Sequence, residues 1–320
     1  MAETGLDRIL TLEAVRVTEA AAIAASKLMG KGDEKAADQA AVDAMRTALN
    51  ALDMQGKVVI GEGERDEAPM LFIGEEVGTG QGKRIDIALD PLEGTTITAK
   101  GLPNSLAVLA LSEEGGLLNA PDVYMDKIAI GGGYADGVVD LDNSPAENVA
   151  ALAEAKGVAQ SDIVACVLDR PRHAEIIAGI RETGARIQLI GDGDVAGVMA
   201  TSMPETGIDI YMGTGGAPEG VLAAAALRCI GGQMQGRLVF RNDDERARAA
   251  RVGIEDLNRK YGMHELAGGD VLFAATGVTD GNMLKGVRKA RGRIATESIV
   301  MRSESGTVRW IRQSRRLGDA

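Results

Sequence analysis

Apolar residues recur every three or four positions near the start of the chain. This spacing predicts one helix from about Leu10 to Met29, which Gly30 is expected to end. The same period predicts a second helix from about Lys35 to Leu52. The chain therefore begins with two helices before its first strand.

Short apolar runs separated by glycine and proline follow these helices, and they predict strands. The segments Lys57–Ile60, Arg84–Leu89 and Ser105–Leu111 each have this pattern. Pro91 and Gly94 are expected to break the second strand, and the threonines that follow are expected to cap a helix.

Strands and helices alternate from about residue 160 onwards. The predicted strands cover Ile163–Leu168, Arg186–Ile190 and Ile208–Met212. The predicted helices cover Arg172–Thr183, Asp194–Thr201 and Pro218–Ile230. Such alternation is typical of α/β layers, which is the fold class that we predict. The turn at Asn143–Pro145 is the predicted boundary between two lobes, residues 1–145 and residues 146–320.

Composition excludes several functional classes. The 320 residues carry a formal net charge of −12 and only 2% aromatic residues, so both the positive charge and the stacking surface that nucleic acids require are missing. The longest apolar runs, such as Val221–Leu227, fall far short of the ~20 residues of a membrane span. Cys166 and Cys229 cannot form a disulfide framework, so we expect a cytoplasmic protein without membrane partners.

Acidic residues gather after two of the predicted strands. Glu62, Glu64, Asp66 and Glu67 follow the first strand, and Asp90 and Glu93 follow the second. Ligands of open α/β sheets bind at the carboxyl ends of strands, so these side chains are expected to share one crevice. Crowded carboxylates resist ionisation unless a cation lies among them, and Mg²⁺ and Mn²⁺ prefer oxygen ligands. The pattern predicts a site for divalent metal ions.

The segment Asp90–Thr95 adds a phosphate-binding feature to this site. Pro91 stiffens the turn that presents Asp90 and Glu93, and Gly94 allows a ligand to approach closely. Thr95 and the amides after it would form a helix N-terminus, which binds phosphate through free N–H groups. Metal ions beside such a terminus are suited to the hydrolysis of phosphate esters.

These residues also resemble a known family. Asp90–Thr95 resembles the signature of the lithium-sensitive, metal-dependent sugar and inositol phosphatases. Five further segments narrow the resemblance to the class II fructose-1,6-bisphosphatases of bacteria: Gly61–Met70, Ala120–Met125, Arg170–His173, Asp192–Asp194 and Gly215–Gly220. The likeness runs from about Ala20 to Arg312 in the order that is typical of the family.

The resemblance implies a layered α-β-α-β-α sandwich of two lobes, with the active site in the cleft between them. It implies hydrolysis of the C1 phosphate of fructose 1,6-bisphosphate to fructose 6-phosphate and inorganic phosphate, a step of gluconeogenesis. The implied cofactor is Mn²⁺ or Mg²⁺, and some relatives also accept sedoheptulose 1,7-bisphosphate. A homodimer or homotetramer is expected.

The resemblance also implies site residues. The implied metal ligands are five carboxylates: Asp38, Glu62, Asp90, Glu93 and Glu219. The implied substrate contacts are Glu93, Gly94, Thr95, Tyr124, Arg170, Pro171, Arg172, Asp192, Gly193, Asp194 and Gly216. The catalytic candidates are Thr95, Asp66 and Glu62. One departure is that Glu34 stands where the family often has a lysine, and Lys35 follows it.

Two alternatives share this scaffold. One is another phosphatase of the superfamily, such as an inositol monophosphatase. Arg170 and Arg172 favour a bisphosphate instead, because their planar forks suit a second phosphate that is not cleaved. The other is a non-catalytic sugar-phosphate sensor, which would not need the five carboxylates that are all present here.

Overall fold

A computed structural model describes Leu6, residues 10–63 and residues 70–317 of the chain. The described chain forms two compact units, one of Met1–Leu117 with Gly269–Ala320 and one of Leu118–Gly268. The predicted boundary at residues 143–145 lies inside the second unit, which begins at Leu118, and the chain returns to the first unit after Gly268.

The α-helices are α1 (Leu10–Ser26), α2 (Glu34–Leu49), α3 (Thr95–Lys100), α4 (Pro145–Lys156), α5 (Ala174–Glu182), α6 (Asp194–Ala200), α7 (Ala217–Ile230), α8 (Asp243–Arg251) and α9 (Met263–Leu266). Short 3₁₀ helices cover Gln160–Asp162, Pro171–His173 and Pro204–Thr206. In the described part of the chain, no helix is both long enough and apolar enough to cross a membrane.

The strands are β1 (Gln55–Ile60), β2 (Glu76–Val77), β3 (Arg84–Glu93), β4 (Leu106–Glu113), β5 (Tyr124–Ile130), β6 (Val164–Leu168), β7 (Arg186–Ile190), β8 (Ile210–Gly216), β9 (Gln233–Val239), β10 (Lys260–Gly262), β11 (Val271–Gly277), β12 (Arg288–Ala290), β13 (Arg293–Arg302) and β14 (Thr307–Arg316). They form two mixed sheets among nine helices in the described residues, which confirms the predicted α/β class.

The first unit contains an eight-stranded sheet in the order β12-β13-β11-β4-β3-β1-β2, with β14 paired to β13. Its β1 and β3 run parallel, whereas the other described pairs are antiparallel. Alternate residues of the strands, such as Ile87 and Leu109, join Ala14 of α1 and Met45 of α2 in one buried core. The helical period seen in the sequence therefore marks the face that packs on this sheet.

The second unit contains a six-stranded sheet in the order β10-β9-β5-β8-β6-β7. In it β6 runs parallel to both β7 and β8, and β5 is antiparallel to β8 and β9. The turn that was predicted to separate the two lobes forms the start of α4 instead. Ser144 caps this helix in a capping box with Glu147, and Pro145 occupies its first turn. Helix-start signals and linker signals use the same residues, which explains the choice of boundary.

The prediction that Pro91 ends a strand is wrong. Strand β3 continues to Glu93, and its register against β4 shifts between Asp90, which pairs with Val108, and Glu93, which pairs with Leu106. Between these two pairs, β3 therefore advances by three residues while β4 advances by only two. Such a β-bulge accommodates a proline, which has no N–H to give to the ladder.

Candidate functional site

The acidic residues of the first unit lie at one edge of its sheet. Parallel strands β1 and β3 pair Ile60 with Ala88. Glu62 and Asp90 each follow this pair by two residues, so both belong to the edge where the two strands end. We call Glu62, Asp90 and Glu93 the acidic edge. Glu93 is buried with 3% of its surface exposed, and the other two are half-buried.

The backbone around Glu93 is fixed from two sides. The Oγ of Ser105 donates a hydrogen bond of 3.0 Å to the carbonyl of Glu93, and Oδ1 of Asp90 accepts one of 3.0 Å from the amide of Leu92. Gly94 has a φ of 86°, and a Cβ there would lie 2.6 Å from Cδ1 of Ile97. A glycine is therefore required at this turn.

Helix α3 begins directly after this turn, but no threonine side chain caps it. Gly94 is the N-cap residue and Thr95 is the first residue of the helix. The predicted threonine cap is therefore wrong, because the left-handed backbone of Gly94 makes the turn without side-chain help. The half-buried side chain of Thr95 accordingly needs no capping bond and remains adjacent to the acidic edge along the chain.

Asp38 lies on α2, which packs against α3 and β3. The loop before α2 is tied to α3 by hydrogen bonds of 2.9 Å from Gly30 N to Thr98 O and from Gly32 N to Ala99 O. Burial raises the pKa of the Asp38 carboxyl above its ordinary value. A nearby cation would stabilise the charged form of this group, so Asp38 fits the role of a metal ligand.

The carboxylates of the first unit fit a divalent ion by their donor chemistry. Their oxygen atoms are the ligands that Mg²⁺ and Mn²⁺ prefer. Within residues 10–63 and 70–317, however, no three acidic, histidine or cysteine side chains are grouped closely enough to form a metal site. Asp66, with its neighbours Glu64 and Glu67, lies outside the described residues. The predicted ligand set therefore stays a prediction.

The remaining predicted site residues share one edge of the second sheet. Parallel strands β6, β7 and β8 end there, and β5 begins there, since Tyr124 pairs with Gly216. We call this edge the second-sheet edge. The segments that follow its strands carry Arg170, Pro171, Arg172, Asp192, Gly193, Asp194 and Glu219. Sheet topology therefore brings together residues that are far apart in the sequence.

The two predicted arginines differ in how they are held. Arg172 donates hydrogen bonds of 2.9 Å from Nε and 2.7 Å from Nη2 to the carbonyl of Thr214. Its Cζ lies 5.0 Å from the ring centroid of Tyr124, a cation–π contact. Arg170 is freer, with Nη2 3.9 Å from Oδ1 of Asp192. Arg172 is thus oriented before any ligand binds.

His173, the last residue of the Arg170–His173 segment, helps to fix this arrangement. It is fully buried. Its Nδ1 lies 2.7 Å from the carbonyl of Leu168, and its Nε2 accepts a hydrogen bond of 2.8 Å from the amide of Thr214. The ring therefore connects the end of β6 to β8, next to the carbonyl that holds Arg172.

Sequence reasoning missed Lys127, a lysine on β5 that is only 1% exposed. Its Nζ forms an ion pair with Oδ2 of Asp194 and donates a hydrogen bond of 2.8 Å to the carbonyl of Gly216. A Cβ on Gly215 would lie 2.0 Å from Oδ2 of Asp194. The resemblance implied Asp194 as a substrate contact, and the structure gives its carboxylate this buried partner.

Glu219 lies in the first turn of α7, close to the Lys127–Asp194 pair. A Cβ on Gly216 would lie 1.8 Å from Oε2 of Glu219, so the carboxylate packs directly on glycine backbone. Burial, followed by the charge of Asp194, raises the pKa of Glu219 to about 7, although Lys127 opposes the shift. A group with this environment gains from a cation, which fits its implied role as a metal ligand.

The chain therefore has carboxylates at one strand edge, which suit divalent metal ions, and oriented arginines at another, which suit phosphate groups. The family model described as bacterial fructose-1,6-bisphosphatase, glpX-encoded, matches residues 8–315. The chain belongs to this family and is a phosphatase, a hydrolase of phosphate monoesters. Enzymes of the family are metal-dependent in general.

Curated relatives agree with this assignment. The chain is 48% identical to a D-fructose 1,6-bisphosphatase class 2/sedoheptulose 1,7-bisphosphatase of Synechococcus sp. (strain JA-3-3Ab), over 96% of this chain and 95% of that protein. A protein of the same name from Synechococcus elongatus is 46% identical over 96% of both chains. The family resemblance drawn from the motifs is confirmed.

Proposed function

We propose that the chain hydrolyses the C1 phosphate of fructose 1,6-bisphosphate and releases fructose 6-phosphate and inorganic phosphate, the gluconeogenic reaction. The family match over residues 8–315 carries this proposal. The names of the Synechococcus relatives extend it to the C1 phosphate of sedoheptulose 1,7-bisphosphate. These two substrates share a phosphorylated keto-sugar end, so one site could serve both.

The acidic residues would hold the metal. We assign Asp38, the acidic edge and Glu219 as ligands of Mn²⁺ or Mg²⁺, with Asp66 and Glu62 as candidates for handling the proton of water. A bound divalent ion would supply positive charge that offsets the charge of the reacting phosphate. The raised pKa values of Asp38 and Glu219 support this assignment, since both carboxylates are desolvated.

The chain's own donors would orient the substrate. The hydroxyl of Thr95 and the amides that follow Gly94 would bind the reacting phosphate, because the first amides of a helix have no partners within that helix. Arg172, already held by Thr214, would bind the other phosphate with Arg170 and Tyr124. Asp192 and Asp194 would lie beside the sugar. Clamping both ends of the substrate lowers the entropy cost of reaching the transition state.

Each unit would then have a role of its own. The first unit would be the metal-binding catalytic part, and the second would bind the sugar phosphate and contribute Glu219. We further propose a cytoplasmic enzyme that assembles as a homodimer or homotetramer. Size-exclusion chromatography with light scattering would measure the assembly, and a monomeric mass would contradict this part.

The test is phosphate release by the purified protein. Turnover of fructose 1,6-bisphosphate should require Mn²⁺ or Mg²⁺ and stop on addition of a chelator. Glu93→Gln should abolish turnover and leave the melting temperature near that of the wild type. Glu113→Gln is the matched control, because Glu113 is exposed at the other end of the same sheet. Undiminished turnover in Glu93→Gln would remove Glu93 from the reaction, and equal turnover of inositol monophosphate would contradict the substrate.

A further inference from the structure

The second-sheet edge carries one arginine that neither the motifs nor the resemblance assigned. Arg241 follows Val239 by two residues, and Val239 pairs with Tyr124 across β9 and β5. The Cζ of Arg241 lies 4.7 Å from the centroid of the Tyr124 ring, and that of Arg172 lies 5.0 Å from the same centroid. Two guanidinium groups therefore contact one aromatic ring.

Glu245 holds Arg241 in this position. Its Oε1 accepts a hydrogen bond of 2.6 Å from Nε of Arg241 and lies 2.5 Å from Nη2. Its Oε2 accepts one of 2.6 Å from the backbone amide of Arg241. The carboxylate of Glu245 is 1% exposed, whereas the Arg241 side chain is 57% exposed. A buried anchor thus orients an arginine whose far end is open to solvent.

The buried carboxylate of Glu245 is held in its ionised form. Burial alone would favour the neutral acid, but the hydrogen bonds from Arg241 hold the pKa of Glu245 below its ordinary value. The backbone amide of Glu245 donates a hydrogen bond of 2.9 Å to Oδ1 of Asn242. Asn242 thereby caps α8 and fixes the start of the helix. Arg241 is therefore held by an ionised group on a capped helix.

Both arginines at the ring keep donors available. Thr214 occupies Nε and Nη2 of Arg172, and Glu245 occupies Nε and Nη2 of Arg241. Nη1 of each guanidinium has no hydrogen-bond partner among the residues that the structure describes. Two fixed cations with unused donors beside one ring are suited to a doubly charged anion, and a phosphate monoester is such an anion.

We propose that Arg241 binds the phosphate of the substrate that is not cleaved, acting with Arg172 across the Tyr124 ring, and that Glu245 is its positioning residue. This inference rests on the proposed function and deepens it. It assigns to Arg241 part of the preference for a bisphosphate, because a monophosphate cleaved at C1 has no second phosphate for this arginine to bind.

The direct test is binding of fructose 6-phosphate, which carries only the uncleaved phosphate, measured by isothermal titration calorimetry. Arg241→Ala should weaken binding about tenfold or more, the usual effect of losing hydrogen bonds to a charged group. It should raise the KM for fructose 1,6-bisphosphate by a similar factor with little change in kcat. The preference for this substrate over fructose 1-phosphate should fall by the same factor.

The control is Arg246→Ala, since Arg246 is an exposed arginine on α8 paired with Asp243. It should bind and turn over substrate as the wild type does. Arg241→Lys keeps the positive charge and should bind fructose 6-phosphate more tightly than Arg241→Ala. It also serves as the test variant if Arg241→Ala does not fold. Glu245→Gln should raise KM and leave kcat unchanged.

Wild-type affinity for fructose 6-phosphate in both Arg241→Ala and Arg241→Lys would overturn this inference alone. A wild-type protein that neither binds fructose 6-phosphate nor hydrolyses the bisphosphate would instead contradict the proposed function. The two failures are therefore distinguishable.

Discussion

Replacing Lys127 with methionine would remove one half of the buried ion pair in the second unit and nearly conserve volume. Lys127 and Asp194 have side chains that are 1% and 7% exposed, so the carboxylate left behind cannot be solvated. Removing one partner of such a pair usually costs about 3–5 kcal/mol. The carbonyl of Gly216 also loses its hydrogen bond from Nζ of Lys127, so we expect a loss at the upper part of that range.

A double-mutant cycle measures this effect. Lys127→Met, Asp194→Asn and the double variant would each be unfolded in urea, with circular dichroism as the signal. Removing both charges is often close to neutral, so the double variant should be more stable than Lys127→Met alone. The two units need not unfold together, so the transition to compare is the one that shifts in the variants.

Two outcomes would show that the pair of Lys127 and Asp194 does not stabilise the second unit as expected. A loss below about 1 kcal/mol in Lys127→Met would be typical of an exposed pair and would contradict a buried one. Additive effects of the two single variants would show that Lys127 and Asp194 do not interact. Lys127→Arg is the matched control for charge, and it should retain more stability than the methionine variant only if the longer side chain can be accommodated without strain.

Three further predictions concern Gly94, His173 and Asp142. Gly94→Ala should cut turnover sharply and cost about 1–3 kcal/mol of stability, because its φ of 86° is a left-handed conformation; kcat and thermal melting check it. His173→Phe should raise KM more than it lowers kcat, because the Thr214 amide loses its acceptor and the arginine site loosens; normal KM would contradict this. Hydrogen bonds from Lys260, then Arg237, lower the pKa of Asp142 to about 2, so its contribution to stability is present above about pH 4 and disappears as the pH falls towards 2. The stability of Asp142→Asn should therefore fall less than that of the wild type as the pH is lowered over that interval. An unchanged dependence of stability on pH would contradict the pairing of Asp142 with Lys260 and Arg237.

Local patterns predicted the elements that local physics determines. The helices α1 and α2 and the strands β1, β4, β6 and β7 were predicted within a few residues of their observed bounds, since period and glycine positions define them. The strand β3 was predicted too short, because Pro91 is a strand breaker unless a bulge accommodates it. Whether a bulge forms depends on the partner strand β4, which a local pattern does not contain.

Long-range pairing explains the other differences. Strands β11 to β14 complete the sheet of the first unit from the far end of the chain, and no local signal connects them with β4. A boundary placed by turn residues could not foresee that return. The candidate residues of each edge were predicted by motif, but their grouping depends on which strands run parallel.

Long-range pairing also explains why Lys127 and Arg241 were missed. Lys127 looks like an ordinary strand residue between Asp126 and Ile128, and only folding shows that its side chain meets Asp194. Arg241 is one arginine among many in an acidic chain, and only the pairing of Val239 with Tyr124 brings it to the second-sheet edge. A charged residue within a largely apolar strand is the signal that could have pointed to Lys127.

We have proposed that this chain removes the C1 phosphate of fructose 1,6-bisphosphate with the help of a divalent metal ion. Phosphorus NMR of the reaction by the purified protein can test this proposal, because the spectrum distinguishes the two possible monophosphate products. We predict fructose 6-phosphate and inorganic phosphate in equal amounts with Mn²⁺ or Mg²⁺, and no change in the substrate with a chelator. Formation of fructose 1-phosphate, or an unaltered bisphosphate in the presence of both metals, would contradict the proposed function.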